Sequence, residues 1–347
     1  MGSLWFWIVA VMIATYVVLD GFDLGVGILY PFLACTEEER RTMMRSIGPV
    51  WDGNEVWLLA GGGTLFFAFP LVYASSFSGF YLPLMIVLWL LILRGVSIEL
   101  RMHMGSPVWR TFFDGLFFVA SALLAIFFGA ALANVIRGVP IGDDNYFFLP
   151  LWTNWRVGAH PGILDWYTVI GGLVAFISLA MHGALYIAMK SFGHLEIRAY
   201  RFARVIGIAL LPLTVVSLIA TMMVRPAALG NYKAHPVLFA IPVLVLVSLA
   251  GVQIFVRAQK ALRAFLSSCL YLVVMLVGAA VGLYPALLPS STDSARDITI
   301  AKSVSGPHTL HVGLVWWSFG MVLAMGYFTM TYWLFRGKVS DEAGYGH

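Results

Sequence analysis

From Val56 to Leu93 the chain runs for 38 residues without one charged side chain. As a single helix this run would be about 57 Å long at about 1.5 Å per residue, roughly twice the ~30 Å hydrocarbon core of a bilayer. It therefore has to turn back on itself. Pro70 and the patch Ser75-Ser76-Phe77-Ser78-Gly79 supply the break, giving two spans, about 51–69 and 79–100. Other runs of the same kind lie at about 4–33, 113–136, 163–189, 205–224, 237–256, 264–284 and 311–335, nine spans in all. Hydrophobic residues make up 61% of the chain and charged residues 11%, against about 25% charged in a soluble domain. The apolar runs are continuous rather than alternating, which excludes a barrel. Backbone polar groups in lipid are then satisfied only within helices. The expected fold is an all-α polytopic membrane protein of nine transmembrane helices, one domain over 1–347.

The first span starts near Leu4 and lacks a basic n-region and a small-residue cleavage site, so it reads as a retained helix rather than a signal peptide. Cys35 falls in a charged loop and Cys269 inside a span, which argues against a disulfide framework. The two longer loops, 138–162 and 285–310, are rich in Pro, Gly, Asp, Asn and Ser and read as surface loops. With the N-terminus outside, inner loops hold fourteen Lys and Arg residues and outer loops six. The positive-inside rule then predicts the N-terminus outside and the C-terminus in the cytoplasm.

Against this background a few charges stand out. An ionised side chain at the centre of a membrane helix costs about 2.5–3.5 kcal/mol on the insertion scale, so each should have a partner or a use. Asp20 and Asp23, in Asp20-Gly21-Phe22-Asp23-Leu24-Gly25-Val26-Gly27, are three apart and share a helix face. Two ionised carboxylates that close repel, which favours one of them holding a proton. The glycines permit close helix approach. Pro49-Val50-Trp51-Asp52-Gly53-Asn54-Glu55-Val56-Trp57 opens the second span with two acids, an amide and two tryptophans. Asp52 and Glu55 suit a proton entry point. They equally suit a helix start, with Asp52 as N-cap and Glu55 completing a capping box. Arg94, inside the third span, requires a counter-charge, for which Asp20, Asp23 and Glu99 are the candidates. Glu99 and Arg101 also fit a plain interfacial role. The orientation puts Asp52, Glu55, Arg94 and Glu99 toward the cytoplasmic side, with Asp20 and Asp23 deeper, about 15–20 Å from the inner end of their helix.

Other chemistry is thinly represented. His182 is the one histidine deep within a span, and a hydrogen-bonded core histidine is the expected reading. A b-type heme held by two protein ligands needs a facing His or Met partner. No second buried histidine is evident, and methionines such as Met181 and Met275 read as packing. Metal-ligand spacing, a phosphate-binding loop and a nucleophile triad are not evident. Trp5, Trp7, Trp152, Trp155, Trp166, Trp316 and Trp317 lie near span ends and read as an interfacial belt.

Leu19-Asp20-Gly21-Phe22-Asp23-Leu24-Gly25-Val26-Gly27, Trp51-Asp52-Gly53-Asn54-Glu55-Val56-Trp57-Leu58 and Phe77-Ser78-Gly79-Phe80-Tyr81 resemble subunit II of the cytochrome bd-type quinol oxidases, a family that includes the cyanide-insensitive oxidases. Tyr284-Pro285-Ala286-Leu287-Leu288-Pro289-Ser290 and Gly306-Pro307-His308-Thr309-Leu310 extend the likeness over most of the chain. The resemblance implies a heme-free subunit in a bacterial cell membrane, paired with a subunit I of similar fold. Subunit I would carry two b-type hemes, heme d and the quinol site. It implies that Asp52 lines a cytoplasmic proton path, and the charges and their depth add Asp20, Asp23, Asn54 and Glu55 as its expected continuation. The family carries Glu or Gln at position 55. Trp57, and Trp51 beside it, would lie on the route between subunits, with Arg94 and Glu99 in charge pairing. Small single-span accessory subunits and lipid are further expected partners, nucleic acid is not, and some members hold a quinone in subunit II. The complex would oxidise quinol and reduce oxygen to water with cytoplasmic protons. Intramembrane acids and an arginine also suit a proton-coupled secondary transporter, although no inverted repeat is evident. A purely structural subunit, with the acids as anchors, is the third reading.

Overall fold

The charge-poor runs fold as helices, and the places where the chain reverses are set by proline, glycine and charge. The computed structural model describes residues 1–339. In chain order the helices are α1 (Gly2–Leu33), α2 (Glu37–Ile47), α3 (Trp51–Ala68), α4 (Pro70–Gly79), α5 (Tyr81–Leu100), α6 (Pro107–Arg137), α7 (Trp166–Lys190), α8 (Gly193–Val224), α9 (Gly230–Ala234), α10 (Ala240–Arg257), α11 (Ala261–Leu283), α12 (Ile300–Ser303) and α13 (Pro307–Leu334). A two-stranded antiparallel ribbon, β1 (Ala286–Leu288) with β2 (Ile298–Thr299), lies between α11 and α12.

Among the described residues, eight helices are long and apolar enough to cross a membrane: α1, α5, α6, α7, α8, α10 with its 3-10 lead-in from Pro236, α11 and α13. The expected span at 51–69 forms as α3, but it is not among the eight: its 18 residues include Asp52, Glu55 and four glycines, which dilute its apolar character. The expected break between the second and third spans also differs. Pro70 does end α3, because a helix-interior proline lacks the N–H of the ladder. The serine-rich patch, however, is helical as the end of α4, with Ser75 Oγ donating to the Asn145 carbonyl at 2.7 Å. At α8 the helix starts twelve residues before the expected 205, because the polar segment carrying His194, Glu196, Arg198, Arg201 and Arg204 is helical too. Charge content marks where a helix leaves lipid, not where it starts.

α7 forms the middle of the packing, with α1, α6, α8 and α11 around it. Its approach to α1 is a backbone contact. A Cβ at Gly25 would lie 2.0 Å from the Leu179 carbonyl oxygen, and one at Gly183 would lie 2.3 Å from the Gly25 carbonyl carbon. Two helices can come this close only where neither has a side chain. Gly129 of α6 meets Gly171 of α7 in the same way, 2.4 Å from a Cβ position to a carbonyl oxygen. The long loops gather at one end. There the Val139 N–H donates to the Pro289 carbonyl at 3.0 Å, Arg296 pairs with Asp143 at 2.8 Å, and buried Arg137 pairs with Asp165, the N-cap of α7. α2 lies at the other end, between α1 and α3, opened by a capping box of Thr36 and Glu39. α13 sits outermost. Leu310 is its one fully buried residue, and rings bridge it to the bundle, with Phe328 5.5 Å from Trp57 and Trp317 6.4 Å from Trp5.

Gly183→Val is expected to destabilise the detergent-solubilised protein by at least the about 1–3 kcal/mol typical of overpacking, read as a lower melting temperature and yield. Gly326→Ala, where an added Cβ meets nothing within 4 Å, should leave both unchanged.

Candidate functional site

Three helices bring the singled-out charges together near the short-loop end. α5 supplies Arg94, whose side chain is wholly buried. Its Nη1 donates to Asp20 Oδ2 at 2.8 Å, and its Nη2 to Asp20 Oδ1. This two-pronged arrangement matches the planar guanidinium to the carboxylate and is the strongest form of such a pair. Glu55 of α3 reaches the same guanidinium, Oε2 to Nη2 at 4.0 Å. Asp20 is thus the counter-charge, Glu55 an added one that the sequence did not nominate, and Asp23 is not paired with Arg94.

Asp23 lies on the same face of α1 and is also buried. Its Oδ2 accepts the Asn54 Nδ2–H at 2.7 Å, and that amide nitrogen also reaches the Leu19 carbonyl at 3.2 Å. Tyr332, from α13, donates its hydroxyl to Asn54 Oδ1 at 2.9 Å. Two atoms of these charged groups are buried without a hydrogen-bond partner among the described residues, Asp23 Oδ1 and Arg94 Nε, and the Tyr16 hydroxyl lies beside Asp20. Buried groups left unsatisfied are where internal water belongs. Asp20, Asp23, Asn54, Glu55 and Arg94 therefore form one constellation, joined by Tyr16 and Tyr332. Neither tyrosine was legible in sequence, since an aromatic in a membrane helix looks like packing.

Two candidates lie apart. Asp52 is exposed in the first turn of α3. Val50, not Asp52, is the N-cap, and no side chain caps this helix, so the capping-box reading of Asp52 and Glu55 fails: α3 starts two residues too early for it. Asp52 instead stands one turn before Glu55, on the same face. Glu99 is exposed, makes no ion pair among the described residues, and offers only its carbonyl to His103. Trp57 is buried inside this chain against Phe328, while Trp51 is half-buried with its ring over Gly95.

A second ionic cluster at the same end was not anticipated. Arg101 has a fully buried side chain that binds Asp114 at 2.5 Å and Glu37 at 3.1 Å, and Arg40 reaches Asp114 at 2.6 Å. Burial raises the Glu37 carboxyl, but hydrogen bonds and charge from Arg101, with Arg110 and Arg41, outweigh it and hold the group below the usual range. The one available signal was Asp114 itself, an acid at the head of an apolar span. His182 is fully buried with both ring nitrogens engaged, Nδ1 with Ser268 Oγ at 2.7 Å and Nε2 with the Val18 carbonyl at 3.0 Å. A cavity of about 250 Å³ lies between α1, α6, α7, α8 and α11, with Tyr16 and Gly21 on one wall and Tyr167, Thr221 and Arg225 among its polar lining.

Residues 1–335 match the protein family described as cytochrome bd terminal oxidase subunit II. The chain is 31% identical to the cytochrome bd-I ubiquinol oxidase subunit 2 of Escherichia coli (strain K12), covering 98% of this chain and 95% of that protein. It is also 31% identical to the cytochrome bd ubiquinol oxidase subunit 2 of Bacillus subtilis (strain 168), covering 98% and 97%. In fold it is similar to a chain in the structure of bd oxidase from Geobacillus thermodenitrificans, with a TM-score of 0.77 at 14% identity over 96% of this chain and 98% of that one. With the family matched along nearly its whole length, the chain belongs to the cytochrome bd terminal oxidase subunit II family.

Proposed function

We propose that this chain is the heme-free subunit II of a bd-type quinol oxidase in a bacterial cytoplasmic membrane, and that it supplies a proton path to the heme-bearing subunit I. The observation that carries the proton path is the acid-lined sequence from the surface inward. Asp52 is exposed at the start of α3, Glu55 one turn on touches Arg94, and Arg94 holds Asp20. Asp23 follows one turn along α1, with a buried oxygen left open. Carboxylates joined by water can move protons where lipid would not. In this reading Asp52 collects protons from the cytoplasm and Glu55 passes them inward. Arg94 keeps the region polar, and Asp23 receives them.

The positive-inside count supports this orientation, and α3 is the ninth span. Its 18 residues rise about 27 Å at about 1.5 Å each, nearly a hydrocarbon thickness. With nine spans the chain enters from outside and ends inside, as one transmembrane domain. Quinol oxidation and oxygen reduction occur in subunit I, and uptake of cytoplasmic protons by this path makes the reaction separate charge. His182 does not fit a heme ligand, because both of its nitrogens are already engaged. Trp51, half-buried beside Gly95, is the tryptophan we assign to the contact between subunits. Trp57 supports that contact from within the chain. The 250 Å³ cavity, whose lining is mostly aliphatic, is the site we assign to a quinone in this subunit.

The isolated chain is expected to show no stoichiometric b-type heme in a reduced-minus-oxidised spectrum, and a full heme signal would refute the heme-free role. Val174→Trp, which fills the cavity, should lower the quinone extracted from the purified complex; unchanged quinone would move that site elsewhere. Asp52→Asn keeps shape and removes the titratable group. It should give an assembled complex with all its hemes and turnover reduced about tenfold, the general range for losing one proton-transfer group being larger still. Oxygen consumption per heme d and proton uptake in proteoliposomes measure it, and wild-type values would end the proton-path reading. Asp20→Asn should instead impair assembly, since an orphaned buried charge costs about 3–5 kcal/mol.

A further inference from the structure

We infer that Tyr332, on the last helix, is a positioning residue for the Asp23 carboxyl, and that it acts through the Asn54 amide. An asparagine side chain has a donor end and an acceptor end of nearly the same shape. Here the donor end faces two acceptors, Asp23 Oδ2 at 2.7 Å and the Leu19 carbonyl at 3.2 Å. The acceptor end faces the Tyr332 hydroxyl at 2.9 Å. Turned over, the amide would set its oxygen against a carboxylate and a carbonyl in a buried site. Asp23 and the Leu19 carbonyl impose the observed orientation, and the Tyr332 O–H adds a third bond that holds the amide in place.

The consequence falls on Asp23. With Asn54 held, Oδ2 is permanently occupied by an N–H, and Oδ1 is the oxygen with no partner. A proton arriving at this carboxyl then has one oxygen to bind, the same one each time. Tyr332 reaches this point from 278 residues away in sequence. Its ring is stacked on Phe328, centroids 6.4 Å apart, and Phe328 in turn lies on Trp57. The hydroxyl is therefore aimed by packing that does not depend on the hydrogen bond.

The effect on turnover rests on the proton-path reading above; the positioning does not. Tyr332→Phe in the purified complex keeps the ring and removes the donor. Heme content and melting temperature should stay as in the wild type. The infrared carboxyl band that disappears in Asp23→Asn should shift in Tyr332→Phe. Turnover should fall about three- to tenfold, the range for one lost hydrogen bond. In an Asp23→Asn background the same substitution should cause no further loss, as expected of two residues acting through one contact. Asn54→Ala should shift the band as well, and adding Tyr332→Phe to it should change nothing. An unshifted band in Tyr332→Phe, or losses that multiply in the double variant, would overturn the inference. A shifted band with wild-type turnover would keep Tyr332 as the positioning residue and remove the proton path instead.

Discussion

Arg94 is the constraint around which the rest is arranged. A guanidinium stays charged under all ordinary conditions, and this one is wholly buried, behind a run of Leu, Ile, Val and Trp from Ile86 to Leu93. Removing one partner of such a pair costs about 3–5 kcal/mol, so α1 has to present Asp20 at its depth. That requirement links α5 to α1 through their side chains, and α3 joins them because Glu55 reaches the same group. The remaining polar atoms follow from it. Asp23 shares the face of Asp20, Asn54 lies one residue before Glu55, and Tyr332 closes on Asn54 from outside. An ion pair that stabilises little in net terms thus ties α5 to α1, whose backbones do not pack closely.

The glycine contacts do the complementary work. In lipid there is no hydrophobic driving force between helices, so close packing of small residues must supply association. α7 touches α1 at Gly25 and Gly183 and α6 at Gly129 and Gly171, backbone against backbone. α13 is joined differently, across the width of aromatic rings, and most of its apolar surface is exposed. The bundle has a tightly closed side around α7 and a loosely bridged side at α13, and the charged constellation lies between them.

Much of this was legible in the sequence, for a physical reason: lipid punishes charge heavily, so run lengths and isolated acids carry information. Asp20, Asp23, Glu55 and Arg94 stood out because they were expensive. What was not legible came from residues that are cheap wherever they sit. Tyr16 and Tyr332 pass for packing until geometry gives their hydroxyls a direction. The role of Asp52 turned on a shift of two residues in where α3 begins, finer than any run length can resolve. Glu99 was nominated by its nearness to Arg94 in sequence, but it is five residues on and points away to solvent. The early start of α8 was hidden because charge content is blind to helix outside lipid.

The Asp20–Arg94 pair also has a consequence in time. The two residues are 74 positions apart, and a ribosome adding about 5–20 residues per second takes roughly 4–15 s to cover that distance. For that interval α1 exists with two acids in its middle and no arginine to meet them. Lipid alone is a hostile host for such a helix, so its early surroundings are set by the insertion machinery. The first helix of the chain is then without its counter-charge until the fifth has been made. A substitution at Arg94 would be felt during synthesis, before any oxidase exists to be assayed.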